Sequence, residues 1–289
     1  MEMKRAILND VLSRVPDKPL YHYTRQSGLL GIIEKKQIWA THSQYLNDRR
    51  EYKHALDLVN EEIEKLLTSA DPESRNVLQN MKEGISGIES VNVCVCSFSE
   101  ERDSLSQWRA YGSGTSGFAI GFTGDGLAAA TKKEGWFLAP CIYDPSEQRT
   151  LIRALVEEAL EQCIEKKNAD DLLMDRDYWA RGGSLGAYLH RYALMLKDPS
   201  FREELEWRII SKPLMSSRDL FSFREGSSLL IPYYKVSLAR DGSEFRVHEV
   251  VVGPTQDGER SRRSVRSFLR HHGLERVPVE VSGVPYRNW

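Results

Sequence analysis

Four groups of residues have types and spacings that can do chemistry. The first is Glu204-Leu205-Glu206-Trp207-Arg208. On a strand, Glu204 and Glu206 point to one face and Leu205 and Trp207 to the other. Two adjacent carboxylates repel, and burying them without partners costs several kcal/mol. Facing a cleft, such a pair stabilises positive charge. On a solvated edge, Glu206 pairs with Arg208 or another base, and both readings stay open.

The second group is Tyr21-His22-Tyr23-Thr24. A His on a short strand between aromatics can face a pocket and hydrogen-bond a ligand, or it can pack against backbone. The third joins Cys96-Ser97-Phe98-Ser99-Glu100 to Leu105-Ser106-Gln107-Trp108-Arg109-Ala110-Tyr111. Small hydroxyls at a strand end can orient a ligand. Trp108 and Tyr111, three apart on a helix, can stack on a planar ring. Ser104 reads as an ordinary N-cap. The fourth is Arg260, Arg262, Arg263, Arg266 and Arg270. An arginine face on a helix suits phosphate, although most such faces are simply solvated.

Other motifs fail on context. Gly112, Gly114 and Gly117 spell G-x-G-x-x-G, but a dinucleotide fingerprint follows a strand and opens a helix. Here the order is reversed. There is no Walker A loop. Cys94 and Cys96 share a strand face without the second ligand pair that structural zinc needs, and Cys141 and Cys163 do not supply it. They read as buried strand cysteines. His271-His272 reads as a solvated helix end, so no metal site is expected.

The elements that must position these groups follow from periodicity. Met3–Val15 is helical and stops at Pro16. Leu20–Thr24 is a strand and Gln26–Lys36 a helix with Leu29, Leu30, Ile32 and Ile33 inward. Gln37–Thr41 is a second strand. Asn47-Asp48 caps a long charged helix. Strands follow at Val91–Ser97, Gly117–Phe122 and Trp136–Tyr143, with a short helix at Leu105–Tyr111. Asp144–Lys197 is mostly helical, broken at Gly182-Gly183. Strands return at Glu206–Ser211, Leu229–Leu238, Phe245–Val252 and Val277–Val281, with a helix at Ser261–His272. The reading is one α+β domain over 1–289, with helical insertions at about 48–88 and 145–197.

Composition sets the outer bounds. The 289 residues are 40% hydrophobic and 28% charged, which suits a folded protein rather than a disordered one. Lys plus Arg number 40 against 42 Asp plus Glu, for a net charge of -2. That excludes a surface basic throughout, but not a basic patch. No apolar run approaches the roughly 20 residues of a membrane helix. The start lacks a signal-peptide core, and four cysteines make no disulfide framework. A cytoplasmic protein with no membrane partner is expected.

Taken together, these motifs resemble a bacterial family known only as a domain of unknown function. The matching segments are YHYT at Tyr21, IWATHSQYLNDRRE from Ile38, CSFSEERDSLSQWRAYG from Cys96, GFAIGF from Gly117, FREELEWRI from Phe201 and SGVPYR from Ser282. The opening YHYTRQSGLLGIIEKKQIWA is also similar to the first unit of the ADP-ribosyltransferase superfamily, its nucleic-acid-directed branches especially. Glu204-Leu205-Glu206 is similar to that superfamily's catalytic Glu-x-Glu, and Ser97-Phe98-Ser99 to its serine strand.

The resemblance implies a split β-sandwich core that binds NAD, as substrate, between two small sheets. It implies cleavage of the nicotinamide–ribose bond through an oxocarbenium-like transition state. Glu206 would stabilise that charge, with Glu204 as helper or acceptor-activating base, and the two roles could be exchanged. His22, Tyr23, Thr24, Ser97, Ser99 and Trp108 would bind NAD, with Tyr23 or Trp108 stacking on nicotinamide. Arg262, Arg263 and Arg266 point to RNA or DNA as acceptor, in keeping with a toxin or phage-defence role. The alternative is a non-catalytic nucleotide-binding or interaction module. The sequence does not name the acceptor or the oligomeric state.

Overall fold

The computed structural model describes residues 2–46, 50–85, 91–112, 117–132, 134–168, 183–214, 220–239 and 245–285. Helix α1 (Glu2–Ser13) precedes the strand–helix–strand unit of β1 (Leu20–Thr24), α2 (Gln26–Lys35) and β2 (Gln37–His42). Helix α2 buries Leu29, Ile32 and Ile33 but turns Leu30 outward, leaving it 44% exposed. It ends where Lys36 takes a left-handed backbone. Helices α3 (Arg50–Leu67) and α4 (Pro72–Gly84) follow. The expected Asn47-Asp48 cap lies outside the described residues. Next come β3 (Cys94–Ser99), α5 (Leu105–Tyr111), β4 (Phe118–Phe122), α6 (Gly124–Lys132) and β5 (Phe137–Pro140).

Helices α7 (Pro145–Asn168) and α8 (Gly183–Tyr192) lie in the second expected helical region, of which 169–182 fall outside the described residues. The chain then forms β6 (Glu206–Ile210), β7 (Ser222–Glu225), β8 (Leu230–Ser237), β9 (Glu249–Val252), α9 (Gly258–His271) and β10 (Val279–Val281). The architecture is α+β. Periodicity misses α6, whose sequence holds two glycines, and β7, a four-residue edge strand.

The ten strands form one hydrogen-bonded sheet that forks at β3. On one side β3 carries β6, and β6 carries β5. Its other side is shared. Tyr21 of β1 stands opposite Ser99, and Thr41 of β2 stands opposite Val95. Ser97 lies between them. Beyond β1 the sheet runs to β4, β9 and β10, and beyond β2 to β8 and β7. Two wings therefore diverge from one strand, joined by α2.

Register partners share a face. One face carries Cys96, Phe98, Ile120, Ile209 and Val250, which pack under Leu29 and Ile33 of α2, Leu127 of α6 and Leu269 of α9. The opposite face carries Val95, Ala139 and Ile210, which pack against α1, α3, α4, α7 and α8. Each fully buried Leu or Ile side chain contributes about 1.5–3 kcal/mol, so these two layers hold the sheet. The helical layer does not extend over Trp39, which is 40% exposed on β2.

Candidate functional site

His22 sits where the sheet divides. Its Nδ1 donates to the Ser97 carbonyl at 3.0 Å, so it takes the place of a ladder bond at the one position of β3 between β1 and β2. Its ring also meets Phe98 at 5.7 Å between centroids, and Cys96 Sγ lies 3.9 Å from Nδ1. Burial holds its pKa below the ordinary histidine value, against the opposing pull of the Ser97 carbonyl. The ring is then neutral with Nδ1 protonated, which leaves Nε2 as a bare acceptor. Among the described residues Nε2 has no partner. The Ser97 hydroxyl, on the other face of the sheet, likewise has none.

The acidic segment folds differently from the expected strand. Strand β6 begins at Glu206, while Glu204 ends a 3₁₀ turn from Pro199. Leu205 between them is left-handed, with φ 41, an uncommon conformation for a residue with a branched side chain. That kink still brings both carboxylates to one group: Lys197 Nζ donates to Glu204 and to Glu206. Arg208 meets Glu206 through Nε at 2.7 Å and a second nitrogen at 3.0 Å, and donates to the Leu194 carbonyl at 2.8 Å. Glu206, Arg208 and Lys197 are all buried. Burial alone would raise the Glu206 pKa, but Arg208 and Lys197 outweigh it and hold the carboxyl at about 2. The same carboxylate keeps Lys197 firmly charged despite its burial.

His22 and Glu206 do not converge. Glu206 stands opposite Ser99, which stands opposite Tyr21, so these three share a face. His22 stands opposite Ile120 on the other face. His22 and Glu206 thus project from opposite sides of the sheet. The two charges on Glu204 and Glu206 are matched by Lys197 and Arg208, and both oxygens of Glu206 are occupied. An oxocarbenium stabiliser needs a carboxylate whose field reaches the ribose undiminished.

The other predicted NAD contacts are structural in this arrangement. Ser99 Oγ donates to the Glu204 carbonyl at 2.7 Å and accepts from Glu101 N–H at 3.0 Å. Tyr23 OH donates to the Glu101 carbonyl at 2.6 Å and accepts from Ser104 N–H at 3.0 Å. Trp108 is 3% exposed, packs edge-on against Tyr23 at 4.6 Å, and donates to Asp103 at 2.7 Å. Gly253 lies against its ring, where a Cβ would come within 2.9 Å. No planar ligand fits there without repacking. Thr24 Oγ1 lies against Gly28 of α2. Ser104 caps by position only, its hydroxyl paired with Ser106. Cys94 and Cys96 are free and buried, as read from the strand pattern.

The arginines of α9 split in use. Arg262 pairs with Glu259 at 2.7 Å and Arg263 donates to the Glu259 carbonyl at 3.3 Å. Arg266 is exposed. A cavity of about 540 Å³ lies between the end of α1 and α6–β5, lined by Leu12, Val15, Pro16, Ala128, Trp136 and Leu138 among others. Its charged lining residues are Arg14 and Lys132. Its lining holds no acid or histidine.

Sequence reasoning missed Lys197, whose burial no local pattern announces. It also missed Asp103, which ties Trp108 to Ser282 and Gly283 near the end of the chain. No helix among the described residues is long and apolar enough to cross a membrane.

A family model described as "Protein of unknown function (DUF2971)" matches residues 107–209. That span includes Trp108, Glu204 and Glu206 but not His22. It agrees with the resemblance to a family of unknown function, and its description carries no activity. No curated protein and no solved structure matches the chain.

Proposed function

We propose that the chain is a nucleotide-binding module whose ligand, NAD or an NAD-derived nucleotide, is held at the fork of the sheet. The observation that carries this reading is the His22–Ser97 bond. It fixes one tautomer at the point where the wings part and presents Nε2 as an acceptor for a ribose hydroxyl or an amide N–H. The clamped, oppositely directed Glu206 argues for binding without turnover through that residue.

Calorimetric titration with NAD and with ADP-ribose tests the reading. Binding that His22→Ala weakens at least tenfold, with circular dichroism unchanged, is the expected result. Absence of binding by either nucleotide at millimolar concentration would reject it.

A second reading is NAD-dependent ADP-ribosyl transfer, and one observation favours it. The Glu204 side chain is 26% exposed and is held by Lys197 alone among the ion pairs. That less encumbered carboxylate could serve the ribose, as the bond from ribose C1′ to nicotinamide breaks and the acceptor's nucleophile takes its place. RNA or DNA as acceptor, and a toxin or phage-defence role, belong to this second reading. Release of nicotinamide by wild type, abolished in Glu204→Gln, would establish it over the first.

A further inference from the structure

We infer that the open face of the β2–β8–β7 wing is a docking surface for single-stranded nucleic acid, separate from the nucleotide site at the fork. On this face β2 presents Gln37, Trp39 and Thr41, β8 presents Ile231, Tyr233, Lys235 and Ser237, and β7 presents Ser222 and Arg224. Trp39 is 40% exposed, and its ring stacks on Tyr233 with centroids 4.3 Å apart and planes inclined by 26°. Tyr233 beneath is buried, so the indole is backed by a rigid partner and offers its outer face.

Charge surrounds this ring on the same face. Lys235 lies directly across the ladder from Trp39 and is exposed. Arg224 is anchored to Thr41 Oγ1 at 3.2 Å and feels the nearby exposed Arg25. None of the residues that these three strands present on this face is acidic. Glu225, the acid among them, projects to the opposite side. An aromatic platform with one anchored cation, Arg224, an exposed one, Lys235, and Arg25 nearby, and no carboxylate of its own, suits a stacked base flanked by phosphates. It suits an acidic peptide less well, since a peptide would leave the indole face unstacked. The arginine helix α9 packs under the other face of the sheet, so the two basic regions are distinct.

The probe is a fluorescein-labelled twelve-nucleotide oligothymidylate, followed by anisotropy with the full chain. Wild type is expected to bind, with affinity falling steeply as salt rises. Trp39→Ala should weaken binding on the order of tenfold, as expected for loss of one stacked base, and Trp39→Phe should restore most of it. Lys235→Glu should weaken binding and flatten the salt slope. Arg262→Glu, Arg263→Glu and Arg266→Glu together should leave it within about twofold of wild type. Lys235 is exposed, so Lys235→Glu should melt like wild type, while Trp39→Ala also loses its stack on Tyr233 and Trp39→Phe, which keeps a ring there, controls for that loss. Wild type that does not bind at low salt, or Trp39→Ala and Lys235→Glu that bind like wild type, would overturn the proposal. So would displacement of the oligonucleotide by an equimolar amount of NAD, which would make the wing part of the fork site. Failure of NAD to bind at all would reject the reading of the fork and leave this surface standing.

Discussion

Arg208 grips Glu206 twice from two residues along the same strand, with Nε 2.7 Å from Oε1 and a second nitrogen 3.0 Å from Oε2. Strand residues two apart share a face, which makes so close a bidentate pair possible. Lys197 closes the remaining side. Glu206→Gln keeps the shape and leaves two buried cations short of a counter-charge. Breaking a buried pair from one side costs about 3–5 kcal/mol, and the amide recovers part of that through its own oxygen. A loss of about 2–3 kcal/mol in urea unfolding is expected. A loss below about 0.5 kcal/mol, the range of ordinary surface changes, would show that the clamp is not structural.

Acid should act through two kinds of group. Glu206 has a folded pKa of about 2 against about 4.3 for a free glutamate. A depressed carboxylate contributes stability above the unfolded value and loses it as pH falls through the folded one. His190 is buried, its Nδ1 has no partner, and its pKa is lowered by burial from 6.5 to about 4. Between those values the unfolded chain binds the proton and the fold does not, so stability falls as pH drops from 6.5 to about 4. His190→Gln should flatten that window by up to about 1.4 kcal/mol per pH unit and leave the region below pH 4 unchanged. Identical stability profiles for the two proteins between pH 7 and 4 would contradict it.

Asp103 should hold the end of the chain in place. It accepts from Trp108 Nε1 at 2.7 Å, Ser282 Oγ at 2.5 Å and Gly283 N–H at 2.8 Å. Asp103→Ala strands a buried indole N–H, which costs about 1–3 kcal/mol, and unpins Ser282 and Gly283. Limited proteolysis with mass spectrometry should find new cleavage after residue 281. Wild-type resistance to protease would rule the latch out.

Leu205 offers a test of backbone strain with opposite signs. Its φ of 41 suits glycine, and its side chain is 37% exposed. Leu205→Gly should change stability by less than about 1 kcal/mol, relief of strain offsetting chain entropy and lost contacts. Leu205→Val, branched at Cβ, should cost more than about 1 kcal/mol. Thermal melts of the two variants should therefore rank Gly above Val, and the reverse order would show that the kink is unstrained.

The elements were largely legible because they rest on local pattern. The apolar spacing of Leu29, Ile32 and Ile33 marks α2, and the β-favouring run at Val91–Ser97 marks β3, which the structure places at Cys94–Ser99. The exceptions have local causes: α6 holds glycines, and β7 is short and lies at the sheet edge. In the candidate site, the pairing of Glu206 with Arg208 could be read as one of two alternatives, because residues two apart on a strand must share a face.

Lys197 reaching both carboxylates could not be read, because it depends on a left-handed turn at a leucine, which propensity disfavours. Nor could the separation of His22 from Glu206. By itself, the sequence determined most of the strands and helices, which residues are apolar enough to form the two layers, and which side chains alternate along each strand. Tertiary structure alone decided which strands became neighbours and in what register. A shift of one residue moves every side chain of a strand to the other face. The pairings of Tyr21 with Ser99 and of Ser99 with Glu206 thus set His22 and Glu206 on opposite sides, and long-range packing, which no local pattern encodes, selects them.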